Sequence, residues 1–488
     1  MTWNVDAANG GAVSRFGLPV VPVVEGLEAG EQELLGRMWG RLRRVRAKNL
    51  LIDAYYDQHK FFHNLGISVP DKMAATQAAL DWPSKAVQSL ARKHVFEGFS
   101  LDGVSNPWGV GQVLAANQFG LCLSQAINSA YKYGCAFLVV TRGDEEAGDP
   151  PVVVQARDAL WATGVWDQRR QRLSAAMLVL DADEHARPRV VLLITSRDVV
   201  EIEAGPEGGV VSRRYRHGLS RLPVEMLAYD PQLGRPFGRS RITRTVRYLT
   251  DVAARTLVRA ETSAEFFAAP QRYVLGADPD AFADMDSWKA VTGRLLALAT
   301  NEEGATPTAG TFPQVSMEPH LAMYRQLAQN FCAATSLPQS SVGLFADNPA
   351  SAEAMQAAEY ALSDEAEYQW QVFTPALRRV VEDVVMLRDG LDAPPEGSWR
   401  VDVGWKPARY VSPQAAADSI VKLVQALPQV AGTQVALKRA GFSASEISEI
   451  EATATRQRAE TVLDRLEALA NKDADSDTTG QEAPPDDS

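Results

Sequence analysis

His59 and His63 stand four residues apart, the spacing that places two imidazoles on one helix face and could seat a metal ion. No third ligand follows nearby, and Phe61 and Phe62 between them suit a packed segment, so no metal is expected. Asp181, Asp183 and Glu184 cover part of a calcium loop. Its glycine and terminal glutamate are missing, which leaves a solvated turn as the expectation. Cys122, Cys135 and Cys332 are odd in number and far apart. They fit neither a disulfide framework nor a C-x-x-C zinc site, and a reducing compartment is the simplest setting. No G-x-x-x-x-G-K-[ST] phosphate cradle and no G-x-S-x-G elbow occurs. Carboxylates abound, yet none can be assigned to a shared pocket. The expectation is therefore no catalytic residue and no cofactor.

Two features remain that could meet a polyanion or a partner. Arg241, Arg244, Arg255 and Arg259 lie roughly opposite the apolar stripe Ile242, Val246, Leu249, Ala253 and Leu257. The plain reading is a solvated face or salt bridges to a neighbouring subunit; the sharper one is weak contact with a passing polyanion. Asp251 and Glu261 dilute the stripe, and a net charge of −12 argues against a free, sequence-independent DNA binder. The second feature is the loop 337–350, between two strongly patterned helices. Its centre, Val342, Gly343, Leu344, Phe345, Ala346, Asp347, Asn348 and Pro349, carries a single charge. An ordinary surface turn would leave Leu344 and Phe345 exposed at the tip unless they faced a partner or a lumen. Asn348 or Ser351 can cap the helix that follows. A near-neutral loop held this way suits a mechanical or gating element better than a catalytic one.

The elements that position these residues are legible in outline. The 488-residue chain has length for roughly two to four domains. Its apolar content of 46% and charged content of 23% are those of a globular protein. The first 30 residues lack a basic segment followed by an apolar one, so no signal peptide is expected, and no 18-residue apolar run suggests a membrane span. Residues 1–29 read as extended, 31–56 as a helix, and Asp81-Trp82-Pro83 opens another with proline at its first position. Residues 109–132 predict one helix. Antiparallel strands are predicted at 135–141, 151–156, 174–182, 189–195 and 199–204. Helices at 240–267 and 318–336 flank a mixed insert at 270–316. A long helix at 351–389 contains Pro375, which should kink it. Residues 391–411 read as irregular or strand-like, and a helix opens at Ser412-Pro413. Ser443 and Glu446 form a capping box for a last helix ending near Lys472. The acidic tail 473–488 should be disordered. The fold class is α+β.

Several runs resemble one family. LIDAYYDQHKFFHNLGISVP, DWPSKAVQSLARKHVFEGF, FGRSRITRTVRYLTDVAARTLVRAETSAEFFAAPQRYVLGADPDAF, WKAVTGRLLAL and LAQNFCAATSLPQSSVGLFADNPASAEAMQAAE occur in order across about residues 35–390. They are similar to portal proteins (head-to-tail connectors) of tailed double-stranded DNA bacteriophages, of the siphophage type infecting actinobacteria and Bacillus. The resemblance implies a portal fold with an α+β wing at 1–235 and stem helices at 236–269 and 317–339. It also implies a small α/β clip at 270–316, a tunnel loop at 340–350, a long kinked helix and wing return at 351–411, a helical crown at 412–472 and the acidic tail. It implies a non-enzymatic ring, typically of twelve subunits, at one capsid vertex of the virion, assembled in the host bacterial cytoplasm. Double-stranded DNA would pass through it. Partners would be the terminase large subunit, a head–tail adaptor, and the major capsid and scaffold proteins, with no membrane. Arg272 and Trp288 in the clip would be candidates for partner contact. An acidic subunit suits a channel that must let DNA slide, since each phosphate-paired cation adds salt-dependent affinity. The lumen is therefore expected to be negative or mixed. The rival readings are another head-morphogenesis scaffold or adaptor, and a metal-dependent DNA-processing enzyme, for which no convincing set of acidic ligands is present.

Overall fold

The computed structural model describes residues 23–60, 77–204, 208–268, 272–275, 308–311, 316–344, 352–409, 413–442 and 444–477. Two compact units divide the chain, Met1–Ala408 and Arg409–Ser488.

The first unit holds two sheets whose strands alternate between cores. One is six-stranded, in the order β1 (Val24–Glu25), β10 (Gly209–Arg216), β9 (Asp198–Ala204), β8 (Pro188–Ile194), β7 (Arg172–Ala182), β6 (Ala162–Asp167). All pairs are antiparallel except β1 with β10. Ala175, Met177 and Val179 of β7 pack beneath α1 (Ala29–Tyr56), against Leu35, Met38, Trp39 and Leu42. Ala176 and Leu178 face the other way, toward Phe137, Val139 and Val224. The period of two thus feeds two cores at once, which is why the run reads as continuously apolar. The second sheet, β11 (Val224–Ala228), β4 (Cys135–Arg142), β5 (Val152–Asp158), works the same way. Cys135, Phe137 and Val139 join the core between the sheets; Ala136, Leu138 and Val140 join the largest one. A third sheet joins β14 (Val401–Trp405), β2 (Phe96–Leu101) and β3 (Val104–Ser105), so the segment after the long helix does contain a strand.

The largest core gathers α2 (Trp82–Ala91), α4 (Phe119–Tyr133), α5 (Arg244–Ala268), α6 (Glu318–Thr335) and α7 (Ala352–Asp389). Proline opens α2 as its sequence predicts. Residues 109–132 form not one helix but two, α3 (Val110–Ala116) and α4, because Gln118 takes a left-handed φ of 48° between them. The Asn117 amide explains the break. It donates to Val113 O and Val152 O (both 2.8 Å) and accepts from Val154 N (2.8 Å), so it lies along the free edge of β5 like a short strand. α5 begins at Arg244, four residues later than its periodicity predicts. Ser240 instead donates to Lys132 O, and the Thr243 hydroxyl accepts from Val246 N, opening the helix. α5 and α6 are antiparallel neighbours: Ser263 meets His320 at one end, and Arg241 meets Thr335 at the other. α7 continues on both sides of Pro375. β12 (Arg272–Leu275) pairs with β13 (Thr308–Thr311) between α5 and α6.

The second unit contains α8 (Pro413–Ala426), α9 (Gln434–Ala440) and α10 (Ala444–Asp477). Thr433 caps α9, a helix that the sequence pattern did not indicate. α10 extends five residues beyond Lys472, so the acidic segment begins as helix; residues 478–488 lie outside the described ones. Ala416, Ala436 and Ile447 are buried, whereas Val462, Leu463 and Leu466 are exposed.

Candidate functional site

The loop between α6 and α7 leaves the core in a defined way. α6 ends at Thr335, and Ser336 turns the chain with a left-handed φ of 56°. Leu337 is buried and donates its N–H to Cys332 O (3.1 Å). Gln339–Val342 then forms a 3-10 turn, closed by Ser341 N to Pro338 O, Gly343 N to Ser340 O and Leu344 N to Gln339 O. Gly343 has a φ of 79°, which favours glycine. Val342 and Leu344 pack, partly buried, against the largest core. Leu344 thus neither stands exposed, as in an ordinary surface turn, nor needs a partner or lumen to cover it: the 3-10 turn brings it back onto the body. Phe345, Ala346, Asp347, Asn348 and Pro349 lie outside the described residues, as does the capping by Asn348 or Ser351. The described part, Ser336–Leu344, has no charged residue.

The expected basic stripe does not hold together. Arg241 precedes the helix and is only 4% exposed. Its Nε donates to Ala86 O (2.5 Å), one Nη to Tyr229 Oη (3.1 Å) and to Glu365 Oε1, and the other Nη to Thr335 O. It binds the protein rather than a polyanion, because every acceptor in its surroundings is intramolecular. Arg244 is exposed; Arg255 and Arg259 are half-buried. Asp251 accepts from Tyr55 Oη (3.0 Å), and burial raises its pKa while Arg255 and Arg247 act against that rise.

Around Arg241 the chain is shaped to fit. A Cβ at Gly238, whose φ is 63°, would collide with the carbonyls of Tyr229 and Gly134, so only glycine lets this loop segment pass so close. One turn along α7 from Glu365, Gln369 donates to Ala228 O (2.8 Å). Tyr229 donates to Glu365 (2.6 Å), and burial raises its phenol pKa to about 12, so it stays a donor at neutral pH. Glu365 and Gln369 were missed by sequence reading. Their signal was a polar pair four residues apart beside the buried Leu362, Ala366 and Phe373, a pattern that does not name its partner.

Another arginine, Arg221, largely shielded just before β11, is tied to α7. Arg221 donates to Asp383 (2.8 Å), Glu382 (2.6 Å) and Arg379 O (3.0 Å), while Arg379 pairs with Glu225 (2.7 Å). Burial lifts Asp383 to about 7 against the pull of Arg221. His94 sits among the rings of Tyr131, Trp370, Phe373 and Trp405, and bonds Tyr131 Oη (2.9 Å). Burial lowers its pKa to about 4, so it is neutral.

Asp183 is a turn residue, accepting from His185 N (2.9 Å) and Arg187 N (2.8 Å); these bonds hold its pKa low. Among the described residues no group of three or more His, Cys, Asp or Glu side chains is arranged to hold a metal ion, and no helix is long and apolar enough to cross a membrane. The three cysteines are free thiols. His63 and Trp288 lie outside the described residues. Arg272 is placed only by its backbone, opposite Thr311.

The sequence is similar to those of known portal proteins. The chain is 27% identical over 403 residues to the portal protein of Mycobacterium phage D29, covering 81% of this chain and 83% of that one. It is likewise 27% identical over 376 residues to the portal protein of Mycobacterium phage L5, covering 76% and 77%. Among solved structures, the neck of a native GTA particle computed with C12 symmetry aligns over 76% of this chain and 93% of that chain, at 14% identity and a TM-score of 0.41. The family model for phage portal proteins of the SPP1 Gp6-like type matches residues 40–461, from within α1 to well into α10. A match that runs through both compact units, over most of the chain, places this protein in the phage portal family.

Proposed function

We propose that this portal-family protein works as a homo-oligomeric ring of twelve copies that forms the channel for double-stranded DNA at one capsid vertex. The ring takes in DNA during packaging and releases it at ejection. It does so without an active site of its own, with energy supplied by the ATPase of the terminase large subunit. The segment spanned by β12 and β13 and the residues between them, including Arg272 and Trp288, is the clip that meets terminase and later the head–tail adaptor. α5 and α6 are the stem, the segment 340–350 is the tunnel loop, and the second compact unit is the crown. The observation that carries this reading is the family match over residues 40–461.

The charge supports it. A conduit that held many phosphates would bind DNA with steep salt dependence, and a ring would multiply that grip. Net charge is −12, Arg241 is occupied internally, and the described start of the loop is uncharged. A lumen mapped as uniformly basic would overturn this part. Native mass spectrometry of the full chain should give closed rings of about a dozen copies. Deleting 343–349 should leave ring assembly intact and impair DNA packaging, and undiminished packaging would reject the loop's role.

A further inference from the structure

We propose that Arg241 is the positioning residue of the loop base: its guanidinium fixes where the chain leaves α6 relative to α7. The proposal rests on the channel reading above for its purpose, though not for its geometry.

Four observations converge on it. First, Arg241 reaches four separate elements through one rigid fork: α2 at Ala86 O, the end of β11 at Tyr229, α7 at Glu365 and the last residue of α6 at Thr335 O. Second, Thr335 O is one of the carbonyls that the end of a helix leaves without an intrahelical partner, and a cation there also complements the helix dipole. The loop starts at the next residue, so the bond lies at its root. Third, Glu365 lies on the helix that resumes after the loop, so one side chain holds the protein on both sides of it. Fourth, the elements it joins meet in the largest apolar core, to which Val246, Phe331, Leu337 and Leu362 belong. A well-packed apolar side chain would generally be as stabilising at such a site as a buried charge pair. What it could not supply is direction. Trp82, stacked on Phe331 with centroids 4.9 Å apart, adds area here but would tolerate sliding that a fork bonded to two carbonyls does not.

The consequence is specific. Weakening the fork should loosen the 3-10 turn that follows α6 before it loosens anything else. The reporters are the amides of Ser341, Gly343 and Leu344, whose hydrogen bonds close that turn. Hydrogen exchange on the full-length protein, as wild type, Glu365→Gln and Arg241→Lys, tests it. Glu365→Gln keeps the shape and a hydrogen-bond acceptor but removes the charge, and should speed exchange at those amides about tenfold. Arg241→Lys keeps the charge but loses the fork, and should speed it further. Amides of β7 and β8 should keep wild-type rates in both variants. Unchanged rates in the turn would overturn the proposal. So would equal acceleration in β7 and β8, which would make Arg241 a general stabiliser. Selective acceleration with unimpaired DNA packaging would support the positioning role while counting against the loop's role in packaging, so the two fail separately.

Discussion

The two ends of α7 are built on opposite principles. Toward its C-terminus the helix is buried all round: Val380, Val381, Glu382, Asp383, Val384, Val385, Met386 and Leu387 lie inside the protein, and the two acids are held by Arg221. Toward the loop it is amphipathic. Leu362, Ala366 and Phe373 face in, Tyr360 and Tyr368 are 52% and 60% exposed, and attachment comes through Glu365 and Gln369. A helix buried on every side is fixed chiefly by area, which is strong and undirected, with the Arg221 bonds to Glu382 and Asp383 added to it. A helix held by a few polar bonds is fixed in register with much less area. One end anchors α7, and the other aims it.

That contrast can be broken by experiment. The largest effect should come from Arg221→Met, which strands Glu382 and Asp383 in the interior; a loss of about 4 kcal/mol is expected in denaturant titration. Adding Asp383→Leu should recover part of that loss. Leu377→Ala, at a fully buried site, should cost about 3 kcal/mol by the same measurement.

Acid should separate the two ends by sign. His94 contacts Trp370 and Phe373 near the middle of α7, and its folded pKa of about 4 lies below the ordinary value. The unfolded chain therefore binds the extra proton first, so stability falls as pH drops from about 6.5 toward 4. The loss should be about 2 kcal/mol by pH 5, read as the difference between wild type and His94→Gln. Asp383 has its pKa raised to about 7, so the folded state takes the proton first. Its contribution rises as pH falls from 7 toward 4, and the Asp383→Asn difference curve should have the opposite slope. The smallest effect is expected from Tyr368→Ala, within about 0.5 kcal/mol. A large loss there would mean that the loop-side half is anchored by more than its inward face and polar bonds.

Much of this was readable from local pattern. α1, the strands β4, β5, β7, β8 and β9, and the helices either side of the loop follow period and capping rules closely, whereas β6 was not predicted. What was not readable depends on distant partners. Arg241 was read as part of a surface stripe because helical spacing says which residues share a face. It cannot say that the helix starts three residues later, or that four acceptors wait inside. For Leu344 the sequence offered exposure, a partner or a lumen, and not the body of the same chain, onto which the 3-10 turn after α6 returns it. Glu365 gave no sign that its partner lay 124 residues away. The break at Asn117 did leave a sign that was missed: on one continuous helix Val110 and Leu114 would face away from Phe119, Leu123, Ile127 and Ala130.

Asn117 has a consequence beyond the helix it interrupts. An edge strand with free N–H and C=O groups is a template on which another copy can pair in the wrong register, and a chain made in many copies meets that hazard whenever concentrations are high. One amide covers two of those groups on β5, so the chain carries its own guard against aggregation. Asn117→Asp would keep the size of the side chain but turn its donor into an acceptor facing Val152 O. The folded protein would barely change in outline, yet the exposed edge would become available, and the damage would show as lost yield of soluble protein during expression rather than as any defect in the finished assembly.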